Sequence, residues 1–317
     1  MKPYLQYLVI LLDDTSVAYC HANNPLTKRN LMPIDTLKKA ILFGMKQNLM
    51  IQYVYPDYEL PAEYNEVIES IDHVKIGKDV QVLNEVPKAV ITDNLVLRLT
   101  IADFIAHQYD LAALLPQVKR LNICLTDMES FTDAQQENYK KALAALNAVL
   151  ANLYKSQQQP QVNILTDRLT LTEMHNCEAG IGNITVAPNG KFYLCPAFYY
   201  DEKMGISNRM NHKAKDASRS IGDLDNGLEI PNKHLLYLDH APLCRICDAY
   251  HCNRCIWLND RLTWDSNTPS HQQCVIAHLE RNAARDLQQQ LKEAGLQAGD
   301  EIKEINYLDP FDVKETW

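Results

Sequence analysis

Over its first 168 residues the chain alternates between short apolar runs of strand length and stretches of helical periodicity, and this alternation most constrains its fold. YLVILL, from Tyr7 to Leu12, reads as a buried strand. MPIDTLKKAILFGMKQN then places Leu37, Ala40, Ile41, Gly44 and Met45 on one helical face. MIQYVYP is a second strand, stopped by Pro56, and PAEYNEVIESI is a short helix with proline at its start, where the missing N–H costs nothing. KAVITD, LVLRLT, LNICLTD and VNILTD all read as buried strands. Between the last two lies the clearest helix. It opens at Thr132 with Gln135 three residues on, a capping box, and puts Leu143, Leu146, Val149, Leu150 and Leu153 on one face. Alternating units of this kind favour a parallel sheet with helices packed outside it. About five are visible, fewer than the eight of a closed barrel, so an open or partial α/β barrel is expected.

In such folds chemistry collects at the carboxyl ends of the strands. The first of those loops, DDTSVAYCHANN, holds Asp13, Asp14, Cys20 and His21, and reads either as substrate-facing or as a polar loop with one chance cysteine. Gly44 and Gly77 stand alone, so no phosphate-cradling loop is present, and neither a G-x-S-x-G elbow nor an HExxH helix occurs. A net charge of -9 lacks the basic face that nucleic acid demands. The N-terminal apolar run ends too soon in aspartates for a signal peptide or membrane span, so a cytoplasmic protein is expected. His73 beside Asp72 has the makings of a general base, yet such pairs are more often satisfied structural contacts. The tyrosines of QYVYPDY and FYY could line a peptide groove, yet aromatic residues in strands are ordinarily core, and RMNHKAKDASRS, residues 209–220, reads as a solvated basic loop or one that a partner would order.

After residue 170 the pattern changes. Of nine cysteines, seven lie between Cys177 and Cys274, four of them in CRICDAYHCNRC. Cys124 is different: within LNICLTD it reads as a small buried core residue. NITVA and KFYLC, joined by Pro-Asn-Gly, form a hairpin signal with Cys177 before it and Cys195 at its far end, so folding can bring both to one side. Each CxxC pair can present two sulfurs to one metal or cluster, and thiolates packed without a cation would repel one another. In a reducing cytosol such clusters are more often metal ligands or redox groups than disulfides. A zinc ribbon separates its knuckles by a dozen or more residues, whereas only DAYH intervenes here. Seven thiols divide more naturally as four plus three around iron–sulfur clusters, with zinc as the alternative. The segment from Val275 to Leu296 reads as a helix ending near Gly295, followed by an acidic tail, residues 297–317.

The order Cys177, Gly190, Cys195, CRICDAYHCNRC, Cys274 resembles the SPASM domain, the auxiliary-cluster region of many radical-SAM peptide-modifying enzymes, with one residue fewer in each of the last two gaps of its central motif. The resemblance implies that Cys244, Cys247, Cys252 and Cys274 share one [4Fe–4S] cluster and that Cys177, Cys195 and Cys255 hold a second. His175, His251 or an external ligand would then fill the second cluster's fourth place. The same family opens with a partial βα barrel whose first loop carries C-x3-C-x2-C. Here Cys20 stands in the third place, while Asp13 and Val17 occupy the other two. One thiol cannot build a three-thiolate cluster, which argues against the usual cleavage of S-adenosylmethionine. The chain as a whole, including LLDDTSVAYCH, MIQYVYPDYELP and IDHVKIG, resembles the CXXX repeat peptide maturases, degenerate radical-SAM-like proteins associated with cysteine-repeat precursor peptides.

The resemblance implies residues 1–170 as a degenerate radical-SAM-like partial βα barrel, 171–296 as a SPASM-like domain and 297–317 as a tail. It implies maturation of a ribosomally made CXXX peptide with two auxiliary clusters, in which an open iron on the three-cysteine cluster would suit a peptide thiolate. A catalytically silent protein that presents the peptide to a separate modifying enzyme is the alternative, and a zinc-stabilised α/β protein is the third reading.

Overall fold

The computed structural model describes residues 5–171, 177–206, 218–250, 252 and 254–296. In chain order its elements are β1 (Tyr7–Leu11), α1 (Ile34–Lys46), β2 (Met50–Val54), α2 (Ala62–Ile68), β3 (His73–Ile76), β4 (Val80–Leu83), β5 (Asn94–Leu99), α3 (Ile101–Ala106), α4 (Gln108–Leu114), β6 (Arg120–Leu125), α5 (Asp133–Lys155) and β7 (Gln161–Val162). There follow β8 (Asn183–Val186), β9 (Phe192–Tyr193), α6 (Pro196–Lys203), β10 (Gly222–Asp223), β11 (Gly227–Leu228), α7 (Ile256–Leu262) and α8 (His271–Glu293). Nine strands form one sheet in the order β7-β6-β5-β4-β3-β2-β1-β8-β9, with β10 and β11 as a separate ribbon. From β7 to β8 every neighbouring pair is parallel, and β9 turns back antiparallel on β8. β7 and β9 end the sheet, so the expected open α/β barrel is what forms.

The sequence explains most of these elements. β1 is buried from Leu8 onward and lies between β2 and β8, the environment that suits an unbroken apolar run in a parallel sheet. α1 buries Leu37, Ala40, Ile41 and Gly44, whereas Met45 is exposed. α5 carries the capping box at Thr132 and Gln135. α8 starts at His271, ahead of the expected Val275, because Ser270 and Gln273 make a second capping box, which brings Cys274 into the first turn. At the hairpin, Gly190 adopts φ 74, and Asn189 Nδ2 donates to Tyr193 Oη at 2.8 Å. The hairpin adds to β1 through four register pairs from Tyr7↔Asn183 to Ile10↔Val186, so chain from both sides of residue 170 shares one sheet.

Other expectations fail for identifiable reasons. KAVITD is a loop with Ile91 exposed, because β4 takes the place between β3 and β5. VNILTD contributes only Val162 to β7 before the chain turns into a 3-10 helix at Thr166–Thr170. His73 does not use Asp72: its Nδ1 lies 2.6 Å from the Ile71 carbonyl oxygen and its Nε2 3.9 Å from Glu69, a structural contact. His175, His251, most of the 209–220 segment and the 297–317 tail lie outside the described residues. Among the described residues no helix is long and apolar enough to cross a membrane.

α8 returns along the outside of the barrel. Asn147 Nδ2 donates to the Ala283 carbonyl at 2.7 Å, and Tyr139 Oη donates to Glu280 at 2.9 Å. Glu280 also pairs at 2.5 Å with Arg168, which donates to the Tyr250 carbonyl, so one buried network joins α5, the 3-10 turn, α8 and the cysteine-rich segment.

Candidate metal centre

The thiols fall into two groups. The first surrounds a cavity of about 290 Å³ lined by Cys20, Cys124, Cys177, Cys195 and Cys255, with Tyr7, Val9 and Gln52 of β1 and β2 in its wall. Cys177 and Cys195 flank the hairpin as expected, and Cys255 immediately precedes α7. Cys124 corrects its reading as a core residue. In β6, Leu121, Ile123 and Leu125 fill the helix-facing core, so the two-residue period turns Cys124 to the opposite face, where it lines the cavity. Its Sγ lies 3.7 Å from the Tyr19 carbonyl.

The second group gathers Cys244, Cys247 and Cys252, the first two acting by their charge on the third. Cys247 Sγ lies 3.6 Å from His278 Nε2. Cys274 stands one turn before His278, on the same face of α8.

One local geometry recurs. The sulfur of Cys20 accepts a backbone hydrogen bond from Ala22, that of Cys177 from Ala179 and that of Cys195 from Ala197. Cys247 accepts from the Ala249 N–H at 3.4 Å, and Cys255 from Leu258 and Trp257. Four of these are C-x-A tripeptides, and each alanine is buried. A small residue two positions on lets the chain curl tightly enough to aim its N–H at the sulfur. This signal is readable in the sequence and groups Cys20 with the C-terminal cysteines.

Without a cation the thiols are held in their neutral form. Burial is the main cause, pushing Cys20 up to about 11 and Cys252 up to about 12. Cys124 is likewise pushed up to about 12 by burial and then by Cys20. Cys177 is exposed as a residue, yet its thiol also rises by desolvation, in keeping with its place in the cavity wall. Opposing this, Arg254 is 1% exposed and its charge lowers both Cys177 and Cys244, so this guanidinium acts on a cysteine of each group. Its Nη2 donates to the Ser266 carbonyl and Asn267, while its buried Nε and Nη1 have no hydrogen-bond partner among the described residues. Tyr200 Oη is also buried without a hydrogen-bond partner among the described residues, beside Cys20 and Cys195.

These features fit anionic thiolate clusters: sulfurs around a cavity, backbone donors aimed at them, and a buried cation with spare donors. Among the described residues no three His, Cys, Asp or Glu side chains are arranged to hold a single metal ion. A cluster brings its own irons and sulfides and spans wider gaps than one ion at about 2.3 Å from each sulfur.

The first loop does not fit the C-x3-C-x2-C cluster. Asp13 is buried, its Oδ1 accepting from Thr15 N and Oγ1 at 2.8 and 2.6 Å and its Oδ2 from Asn30 N and Tyr58 Oη at 2.8 and 2.9 Å. Val17 packs beside Gly77. Farther along, Arg98 of β5, 5% exposed, holds the loop: Nε donates to the Cys20 carbonyl at 2.9 Å, Nη2 to the Ala22 carbonyl at 3.0 Å and to Asn23 at 2.6 Å. His21 Nδ1 donates to the Leu125 carbonyl at 2.7 Å, and burial lowers its pKa, which keeps the ring neutral.

Two further cavities adjoin this loop. A groove of about 460 Å³ shares His21, Ala22, Ala197 and Trp257 with the thiol cavity and runs past Met128, Tyr200, Met204 and Leu262. Its wall is fixed by Trp257 Nε1 donating to Asp201 at 2.8 Å and by Arg261, which lies over the indole and pairs with Asp201. A polar cavity of about 520 Å³ lies at the strands' carboxyl ends, lined by Asn23, Asn84, Arg98, Thr100 and Thr126 among others.

No family model and no curated protein matches the sequence. Among solved structures, native anSMEcpe with bound AdoMet and the Cp18Cys peptide superposes with a TM-score of 0.60 at 11% identity, covering 92% of this chain and 99% of that one. A histidine-tagged form of anSMEcpe with bound AdoMet gives a TM-score of 0.57 at 11% identity, covering 91% and 95%. The likeness establishes the fold: the open, mostly parallel sheet is a partial α/β barrel like that of anSMEcpe.

Proposed function

We propose that this chain binds and modifies a cysteine-containing peptide, a ribosomally made cysteine-repeat precursor in the cytoplasm, using two [4Fe–4S] clusters held by its cysteines. The observation that carries this reading is the groove, whose wall is shared with the thiol cavity, so a peptide lying in it would run directly beside the sulfurs. The shared fold with anSMEcpe, itself bound to AdoMet and the Cp18Cys peptide, supports a peptide as ligand.

Cys244, Cys247, Cys252 and Cys274 would hold one cluster, and Cys177, Cys195 and Cys255 are ligands of the other. When bound, such clusters supply one-electron transfer. The chain's own residues do the rest. Backbone N–H groups and Arg254 favour the anionic form, Trp257 and Arg261 fix the groove wall, and Met128, Met204 and Leu262 give it soft apolar surface. The saturated Asp13 and the apolar Val17 leave the first loop without the ligands of the usual SAM-cleaving cluster, so no step is assigned to one.

That same loop favours a second reading, a silent protein that presents the peptide to a separate enzyme. Anaerobic purification with iron, sulfide and zinc analysis is the first test, and about eight irons per chain are expected. Zinc without iron would overturn the proposal. Incubation of the reduced protein with a cysteine-repeat peptide then separates the two readings: a mass change supports modification, binding without one supports presentation.

A further inference from the structure

We infer that Cys20, on the first loop of the barrel, is the fourth ligand of the site formed by Cys177, Cys195 and Cys255. The inference rests on the reading that those three hold a cluster. It departs from that reading's expectation of an open iron, because four thiolates would close the site and join the barrel to the cysteine-rich half.

Three observations carry it. The four cysteines line one cavity, although Cys20 comes from the first loop of the barrel and the other three from beyond residue 170. Cys20 shares with the other three a backbone N–H aimed at its sulfur, the arrangement that steadies a metal-bound thiolate. The loop is built to hold this position, since Arg98 spends buried donors on the carbonyls of Cys20 and Ala22.

Cys124, the fifth thiol in the cavity, is not chosen by these criteria. Its sulfur lies against the Tyr19 carbonyl, and the N–H two residues on, that of Thr126, goes to the Leu99 carbonyl instead of to the sulfur. The peptide's own sulfur would then meet the cluster from outside a closed shell, across the groove wall, without binding iron.

The test compares wild-type full-length protein with Cys20→Ala, Cys20→Ser and Cys124→Ala, all loaded anaerobically and checked for folding by circular dichroism. Wild type and Cys124→Ala should both retain about eight irons per chain. Cys20→Ala should lose about half of its iron, or keep a three-iron form with a new paramagnetic resonance signal that changes when a small thiol such as 2-mercaptoethanol is added. Cys20→Ser should keep iron with a shifted signal. A folded Cys20→Ala protein with full iron and an unaltered spectrum, or a matching loss in Cys124→Ala alone, would overturn the assignment. Should wild type take up no iron, the cluster reading falls separately, and a short bifunctional methanethiosulfonate applied to the metal-free protein decides the geometry. Linkage of Cys20 to Cys177, Cys195 or Cys255 supports the four-sulfur site, and labelling of Cys20 singly overturns it.

Discussion

Arg98 lies inside the barrel and gives its hydrogen bonds to the Cys20 and Ala22 carbonyls and to the side-chain amides of Asn23 and Asn84, so the backbone and side chains of one loop take most of them. Substitution Arg98→Met strands the carbonyls of Cys20 and Ala22, and each buried acceptor left unpaired costs about 1–3 kcal/mol. A urea titration should show the midpoint fall, with faster amide exchange confined at first to residues 20–24. Arg254 has a different role. Its positive charge acts on a cysteine of each thiol group, so Arg254→Met should make the reduction potential of the bound clusters more negative, as read by redox titration, because the added electron loses a nearby cation. Residue identity alone discloses the seven C-terminal thiols but not the partners they find. Cys20 reads as the remnant of a different cluster, and Cys124 as core. Strand alternation through Leu121, Ile123 and Leu125 and the repeated C-x-A turns hold the missing information. His278 and Arg254 are not legible in advance, since only the return of α8 and the turn before α7 bring them to the sulfurs.

α8 is tied to α5 and to the 3-10 turn by the Arg168–Glu280–Tyr139 network, with both charged side chains 1% exposed. Removing one partner leaves a buried uncompensated charge, so Arg168→Met should cost about 3–5 kcal/mol in chemical denaturation. Replacing both, as Arg168→Met with Glu280→Leu, should recover most of that loss, because desolvation of the pair offsets much of its attraction. The hairpin gives a cleaner measurement. Gly190 has φ 74, and a Cβ added there would meet nothing closer than Thr36 Cγ2 at 3.5 Å, so Gly190→Ala should cost only the left-handed backbone term, about 1–2 kcal/mol. Elements announced by capping boxes, helical periodicity or Asn-Gly are legible: α1, α5 and the β8–β9 hairpin. Those decided by competition for a sheet position are not. VQVL, not KAVITD, takes the slot beside β5, and β7 is cut short by the turn that buries Arg168.

Across the whole molecule, the sheet does not respect the change of composition near residue 170. β8 covers one edge of β1, so a fragment of residues 1–170 would expose an apolar parallel strand and should aggregate, whereas the full chain should not; sedimentation of the two would distinguish them. Metal loading should act on the same scale. Stripping iron anaerobically should lower the melting temperature and open the chain around Cys244 and Cys255 to proteases before the barrel, since ligand binding to the native state alone is also folding energy. The segment from His21 to Asn23 borders the groove, the polar cavity and the sulfur cavity alike. A guest in any one of these compartments presses on a partition common to all three. Thermodynamic reciprocity then requires that whatever a small molecule in the polar chamber does to peptide affinity, the peptide does to that molecule's affinity by the same factor.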